Sequence, residues 1–267
     1  MYKYAVFDLD ETLGHFTELG IFWDSLSAIL KSTKLTQKHF NDICTMFPNF
    51  FRPGIFTIMS YLVRIKSKNP NIKIVIYTNN QAPKKWTYMI KQYIEDRLNN
   101  KHIFDKIICA FKVNGKRIEM CRTTHNKTVK DLVRCTKAPK NSRFVFLDDQ
   151  YHEKMKNEVV SYINVKPYNY HMSYTKMINH FVASDLGKQL LNLNNINHND
   201  FKIIMMRELR RYNFSVVEKS DSELTIDKIV TKKMMIHLQN FFGKKPKHNK
   251  TKKRRNYNPL NRSRRNR

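Results

Sequence analysis

Acidic residues are scarce in this sequence: 22 Asp and Glu stand against 50 Lys and Arg, a formal net charge of +28 over 267 residues. Such a field repels cations and favours nucleic acid, phosphoprotein or an acidic protein surface as partner. Long apolar runs are missing too. Nothing approaches the roughly 18 residues that cross a bilayer, so no membrane partner is expected. The start, MYKYAVFDLDETL, lacks the charged region, long apolar stretch and cleavage site of a secretory leader. The four cysteines, Cys44, Cys109, Cys121 and Cys135, form no CxxC pair and have no His at ligand spacing. A zinc site is therefore not expected, and the cysteines read as buried or reduced thiols of an intracellular, reducing compartment. The ten histidines make no spaced ligand set, and no internal repeat, zinc-finger or RNP-like pattern occurs.

What is present is uneven. Residues 243–267 carry twelve Lys and Arg and no acid, which leaves +16 of the +28 on residues 1–242. Without apolar periodicity, this basic segment is expected to be a disordered tail. Its KKRR run suits a nuclear import signal or contact with a phosphate backbone, against the plainer role of a solubilising, polyanion-binding tail.

The preceding residues alternate between two periods. Tyr4–Phe7, Lys73–Tyr77, Phe144–Leu147 and Val159–Val165 are near-continuous β-branched and aromatic runs, as in parallel strands covered on both faces. Ile55–Ile65, Trp86–Leu98 and Thr128–Cys135 have helical spacing between them. This alternation predicts an α/β fold with a mainly parallel central sheet. Asn-Gly inside Ile107–Met120 predicts a hairpin added to that sheet. The expected organisation is a domain over 1–172 with a helical insertion at 16–50. A mainly helical extension follows over 173–242, with a strand pair near FSVVEKSDSELTI, and then the tail.

The scarce acids gather where such a sheet binds ligands, at the carboxyl ends of its strands. The first strand ends in Asp8 and Asp10, whose i, i+2 spacing turns both to one side. The second ends in Thr78 and the third in Asp148 and Asp149, while a helix start adds Lys130. Several carboxylates in one pocket repel unless a cation lies among them, and hard oxygen donors suit Mg²⁺. A carboxylate is also a competent nucleophile for phosphoryl transfer. That reaction needs positive charge on the phosphate oxygens and a second acid to handle the proton.

At these residues the chain resembles haloacid-dehalogenase-type phosphatases carrying a DxDxT motif. More narrowly, it is similar to phosphatases of the RNA polymerase II C-terminal domain and their NLI-interacting-factor-like relatives. FDLDETLGHF, FRPGIFTIMSYL, KIVIYTNNQAPKKW, FKVNGKRIEMCRTTHNKTVKDLVRC and FVFLDDQ follow that family's order and spacing over about residues 3–170. The resemblance implies a Mg²⁺-dependent phosphoserine or phosphothreonine protein phosphatase of haloacid-dehalogenase-like Rossmannoid fold, working through an aspartyl-phosphate. It implies Asp8 as nucleophile and metal ligand, and Asp10 as general acid and base with its carbonyl on the metal. Thr12 would support Asp10. Thr78, with Asn79 beside it, and Lys130 would hold the phosphate, Lys130 being preferred to Lys127 because it stands in VKDL. Asp148 would bind metal, and Asp149 would serve the metal site through water or from outside the ligands in direct contact.

The sequence departs from that family at Asn79 and Asn80, at Gln150-Tyr151-His152, and in the longer insertion, all bordering the substrate in the relatives. Trp23 and Trp86 are expected to serve packing. Three rivals stay open: a phosphatase of nucleic-acid 3′ ends, a small-metabolite phosphatase, and a non-catalytic binding relative. Substrate context and oligomeric state are not legible.

Overall fold

The structure, a computed structural model, describes residues 1–212 and 216–243. In chain order its elements are β1 (Lys3–Phe7), α1 (Thr17–Ile29), α2 (Gln37–Met46), α3 (Ile55–Lys68), β2 (Ile72–Tyr77), α4 (Lys84–Arg97) and β3 (Lys106–Ile108). There follow β4 (Lys112–Val113), β5 (Lys116–Arg117), α5 (Val129–Thr136), β6 (Arg143–Asp148) and β7 (Val160–Asn164). The C-terminal part is helical: α6 (Tyr174–Ala183), α7 (Asp185–Leu193), α8 (His198–Arg210) and α9 (Asp221–Gly243). The result is a mixed α/β fold around a five-stranded sheet of order β3-β2-β1-β6-β7, parallel throughout. No helix among the described residues is long and apolar enough to cross a membrane.

The four expected strands all form, and their unbroken apolar character has a direct cause. Alternate residues of each strand enter two different cores. Ala5, Phe7, Ile74, Ile76, Val145 and Leu147 face one, packed with α1–α4 and α6–α9. Tyr4, Val6, Val75, Tyr77, Phe144 and Phe146 face the other, with Leu132 and Cys135 of α5. Each buried Leu or Phe side chain here contributes about 1.5–3 kcal/mol. The 16–50 insertion and the C-terminal helices thus share one core. α1 packs on α8 and α2 on α6, so the extension is a wall of the domain rather than an appendage.

Several expectations change. The Asn-Gly hairpin forms, with Asn114 at φ 47° and Gly115 at φ 75° closing the two-residue turn. It makes its own two-stranded ribbon, β4-β5, and does not join the main sheet. The edge beside β2 is taken instead by β3, three residues in FDKII that were too short to show a period. The strand pair near 214–226 is absent among the described residues: 216–220 are irregular and α9 begins at Asp221. Ser220 explains the start, because its hydroxyl accepts from Glu223 N–H while Glu223 reaches back to Ser220 N–H. The basic segment expected as a tail lies, from 244 on, outside the described residues. Cys121 and Cys135 form a disulfide, correcting the reading of four reduced thiols, while Cys44 and Cys109 are buried and free.

The turn after β1 is held from below. Its tightness requires glycine at 14, where a Cβ would meet Phe50 O at 2.3 Å. Arg52, only 1% exposed, donates to Thr12 O at 2.7 Å, Glu11 O at 2.6 Å and Lys166 O at 2.8 Å. Burial lowers its pKa to about 10. Losing those three donors strands buried carbonyls at about 1–3 kcal/mol each. Arg52→Met should therefore cost about 3 kcal/mol and lower Tm by roughly 6–12 °C. A calorimetric scan showing no change would contradict this role.

Candidate active site

The sheet order places a topological switch between β1 and β6. From β1 the chain runs outward to β2 and β3, then crosses to β6 on the other side. Crevices at such points, outside the carboxyl ends of the strands, are where open α/β sheets bind ligands. Asp8 follows β1 there, and its N–H donates to Leu147 O at 2.9 Å, which locks it beside the end of β6. Asp148 ends β6, and Thr78 follows β2. Asp8 and Thr78 open on a cavity of about 200 Å³ lined also by Asp10, Glu11, Asn79, Asn80, Lys127, Asp149, Gln150 and His152, while Asp148 is fully buried and outside that lining.

Lys127 organises the acids. It is 2% exposed; its Nζ donates to Asp148 Oδ2 at 2.6 Å and also to Asp8 Oδ1. The loop holding it is fixed on several sides. Thr128 caps α5 by accepting from Asp131 N–H at 3.0 Å, and its own N–H donates to Tyr77 Oη. Buried Asp131 accepts from the N–H and hydroxyl of Thr123. Arg122 donates to Thr78 O, Cys109 O and His125 O. The Cys121–Cys135 disulfide brackets the segment.

This corrects the choice of lysine: Lys130 is exposed and takes no part in the site. The helix explains it. Asp131, Leu132 and Cys135 form the buried side of α5, and Lys130 lies on the other. VKDL reads as a site motif in the sequence, but its inward residues are Asp131 and Leu132. The signal that could have found Lys127 is the Thr-x-x-Asp capping pattern at 128–131, which puts the preceding residue in the loop.

The other acids each have a distinct holder. Thr12 Oγ1 donates to Asp149 Oδ1 at 3.2 Å and accepts from Asp149 N–H at 3.1 Å, so its side chain braces Asp149, while its N–H donates to Asp10 O at 2.6 Å. Asp10 reaches the cavity as predicted but is held by Asn80, whose Nδ2 donates to Asp10 Oδ2 at 2.7 Å. Asn80 N–H also donates to Thr78 Oγ1 at 2.9 Å; a hydroxyl accepting there still has its own O–H to give. Sequence reasoning noted Asn80 only as a departure, although i+2 from Thr78 it faces the same way. Asn79 lines the cavity as expected. His152, one of the departures from the family, lies in the cavity wall with Nε2 3.4 Å from Asp148 Oδ2, its backbone N–H donating to Tyr162 Oη at 2.8 Å.

The electrostatics follow from burial. Asp8 is raised above the usual carboxylate range, chiefly by burial and also by Asp148, against the pull of Lys127. For Asp148 burial pushes up too, but His152 and Lys127 outweigh it and the carboxyl is held low. Lys127 is raised despite its burial, because Asp8 and Asp148 hold its proton. Asp10 is pushed up to about 6, mainly by burial and against the Asn80 hydrogen bond. A carboxyl titrating there gives and takes a proton near neutral pH.

The donor set fits a hard divalent cation. Asp8, Asp148 and Asp149, all buried, each offer an oxygen within 4.8 Å of the others. Lys127 pairs with Asp8 and Asp148 but not with Asp149, and oxygen-only donors favour a hard cation such as Mg²⁺ over softer metals. Asp10 does not join this set through its side chain. Asp149 offers an oxygen to the set while Thr12 and Gln150 donate to its carboxylate.

Comparison with known proteins returned no matching family model, no matching curated protein and no matching solved structure.

Removing Lys127 leaves two buried acids facing each other, which costs on the order of 3 kcal/mol. Lys127→Met should lower stability by about that much in urea unfolding, and Lys130→Met by less than about 0.5 kcal/mol. Equal effects of the two would remove Lys127 from the centre of the site.

Proposed function

We propose that this chain is a phosphomonoester hydrolase of haloacid-dehalogenase type, using Asp8 as nucleophile. The observation that carries the reading is the Lys127 bridge between Asp8 and Asp148 at the switch point, with Asp10 facing the same cavity. A phosphate in that cavity meets an acid able to attack, an ammonium, the Thr78 hydroxyl, and a second acid placed for the proton.

The steps belong to this chain's own residues. A carboxylate oxygen of Asp8 attacks phosphorus in line with the ester oxygen. The Asp8 O–P bond forms as the bond to the leaving oxygen breaks, and Asp10 gives that oxygen its proton. Asp10, now a carboxylate, takes a proton from water, whose oxygen attacks the same phosphorus and releases inorganic phosphate and free Asp8. Lys127 and Thr78 hold the phosphoryl oxygens throughout. Asn80 keeps Asp10 turned inward, and Thr12 keeps Asp149 in place. Asp8, Asp148 and Asp149 are the residues that would hold Mg²⁺, which when bound supplies positive charge on the phosphate oxygens.

The resemblance adds phosphoserine or phosphothreonine of a protein as the substrate, but the lining of the neighbouring cavity points elsewhere. The reaction class is tested with a chromogenic aryl phosphate. Asp8→Asn should lower kcat by more than about a thousandfold with the circular dichroism spectrum unchanged. Lys130→Ala should leave kcat within about twofold. Chelation should abolish turnover and added Mg²⁺ should restore it. Near-wild-type turnover by Asp8→Asn, or by the chelated enzyme, would overturn the reading.

A further inference from the structure

A second cavity, of about 410 Å³, adjoins the first and shares Asp10 and Asn80 with it. A group esterified to a phosphate held at Asp8 would reach it past the hydrogen-bonded Asp10–Asn80 pair. Its volume lies in the range of small-molecule sites, about 300–1,000 Å³. The insertion builds one side through α1, and the 80–89 segment builds the other.

The walls are aromatic and fixed. Trp23 and Trp86, the only two tryptophans in the chain, both line the cavity. Each ring meets Phe40 edge-on, at 5.2 Å and 5.4 Å between centroids, and the indoles are only 7% and 8% exposed. They are packed into the core, as sequence suggested, yet they also form the cavity surface. The rim is polar: Asp24, Ser27, Gln81 and Lys85 supply acceptors, donors and a positive charge. Indole surface with hydrogen-bonding groups around it suits a heterocycle with polar edges better than an aliphatic chain. Lys84 and Lys85 are exposed at the start of α4, next to the cavity, in a chain with a net charge of +28. Aromatic side chains beside lysines are how proteins hold single-stranded nucleic acid.

We propose that this cavity binds the base of a phosphate-bearing terminal nucleotide, so that the phosphoryl group removed at Asp8 comes from the end of a single-stranded nucleic acid. The substrate class rests on the phosphohydrolase reading, but the base pocket can be measured apart from turnover.

Both indoles line the pocket, so base binding is read by tryptophan fluorescence. The probe is a short single-stranded oligonucleotide ending in a phosphorylated nucleotide, titrated into full-length Asp8→Asn protein. If that variant does not fold, the wild-type protein with chelator replaces it. The matched probe ends in a phosphorylated abasic residue. The base should quench the fluorescence and tighten Kd about tenfold or more over the abasic probe. Lys84→Glu/Lys85→Glu should weaken oligonucleotide binding about tenfold or more, and an unchanged Kd would overturn the polymer. A free mononucleotide that quenches equally and binds as tightly would assign the pocket to nucleotides and overturn the polymer. Equal Kd for the two oligonucleotides without quenching, or tighter binding of a phosphoserine peptide of equal charge, would overturn the base pocket. Loss of aryl-phosphate turnover in the wild type would instead count against the phosphohydrolase reading alone.

Discussion

The site depends on one electrostatic constraint: acids brought together in a buried crevice must be neutralised or they force the crevice open. Lys127 meets that constraint from inside by donating to both Asp8 and Asp148. Its position is set by structure that does no chemistry. The Thr128 cap, buried Asp131, the three carbonyls on Arg122 and the Cys121–Cys135 bond all fix the segment that delivers it. On the opposite side Arg52 pins the turn after β1. The acids therefore sit between two buried cations, one facing the reacting groups and the other holding the backbone beneath them.

The helical parts outside the strand–helix alternation have a common role. The insertion and the C-terminal helices cover one sheet face with a single apolar core, from Leu19 and Phe22 to Phe201 and Leu238. Buried Glu18 of α1 fastens this layer by accepting from His171 Nδ1 at 2.7 Å and Met172 N–H at 3.1 Å. The layer holds α1 firmly against the strand ends, where it forms a wall of the larger cavity.

Much of this was legible in the residues. Strands that bury both faces have an unmistakable apolar run, and Asp8, Asp10, Thr78, Asp148 and Asp149 follow such runs directly. What escaped was what depends on long-range packing or very short elements. β3 has three residues, too few for a period. Lys127 and Lys130 are equivalent in composition, and only the capping geometry of α5 separates buried from exposed. Thr12 seemed a partner for nearby Asp10, but its hydroxyl pairs with Asp149, 137 residues away. Cys121 and Cys135 carry no pairing signal at a separation of 14; the fold of the intervening loop brings their Cα atoms to 5.0 Å. Trp23 and Trp86 read as core, which they are, but a sequence does not show which face of a core ring borders a cavity.

The central claim is that Asp8 takes the phosphoryl group. Acid quenching of the Mg²⁺-loaded enzyme during its first turnovers of a radiolabelled phosphomonoester, followed by peptide mapping, tests it most directly. The account predicts a hydroxylamine-labile label on the peptide containing Asp8, lost when Asp8 is replaced by Asn. Label on another residue, or a burst of product with no labelled protein, would contradict it.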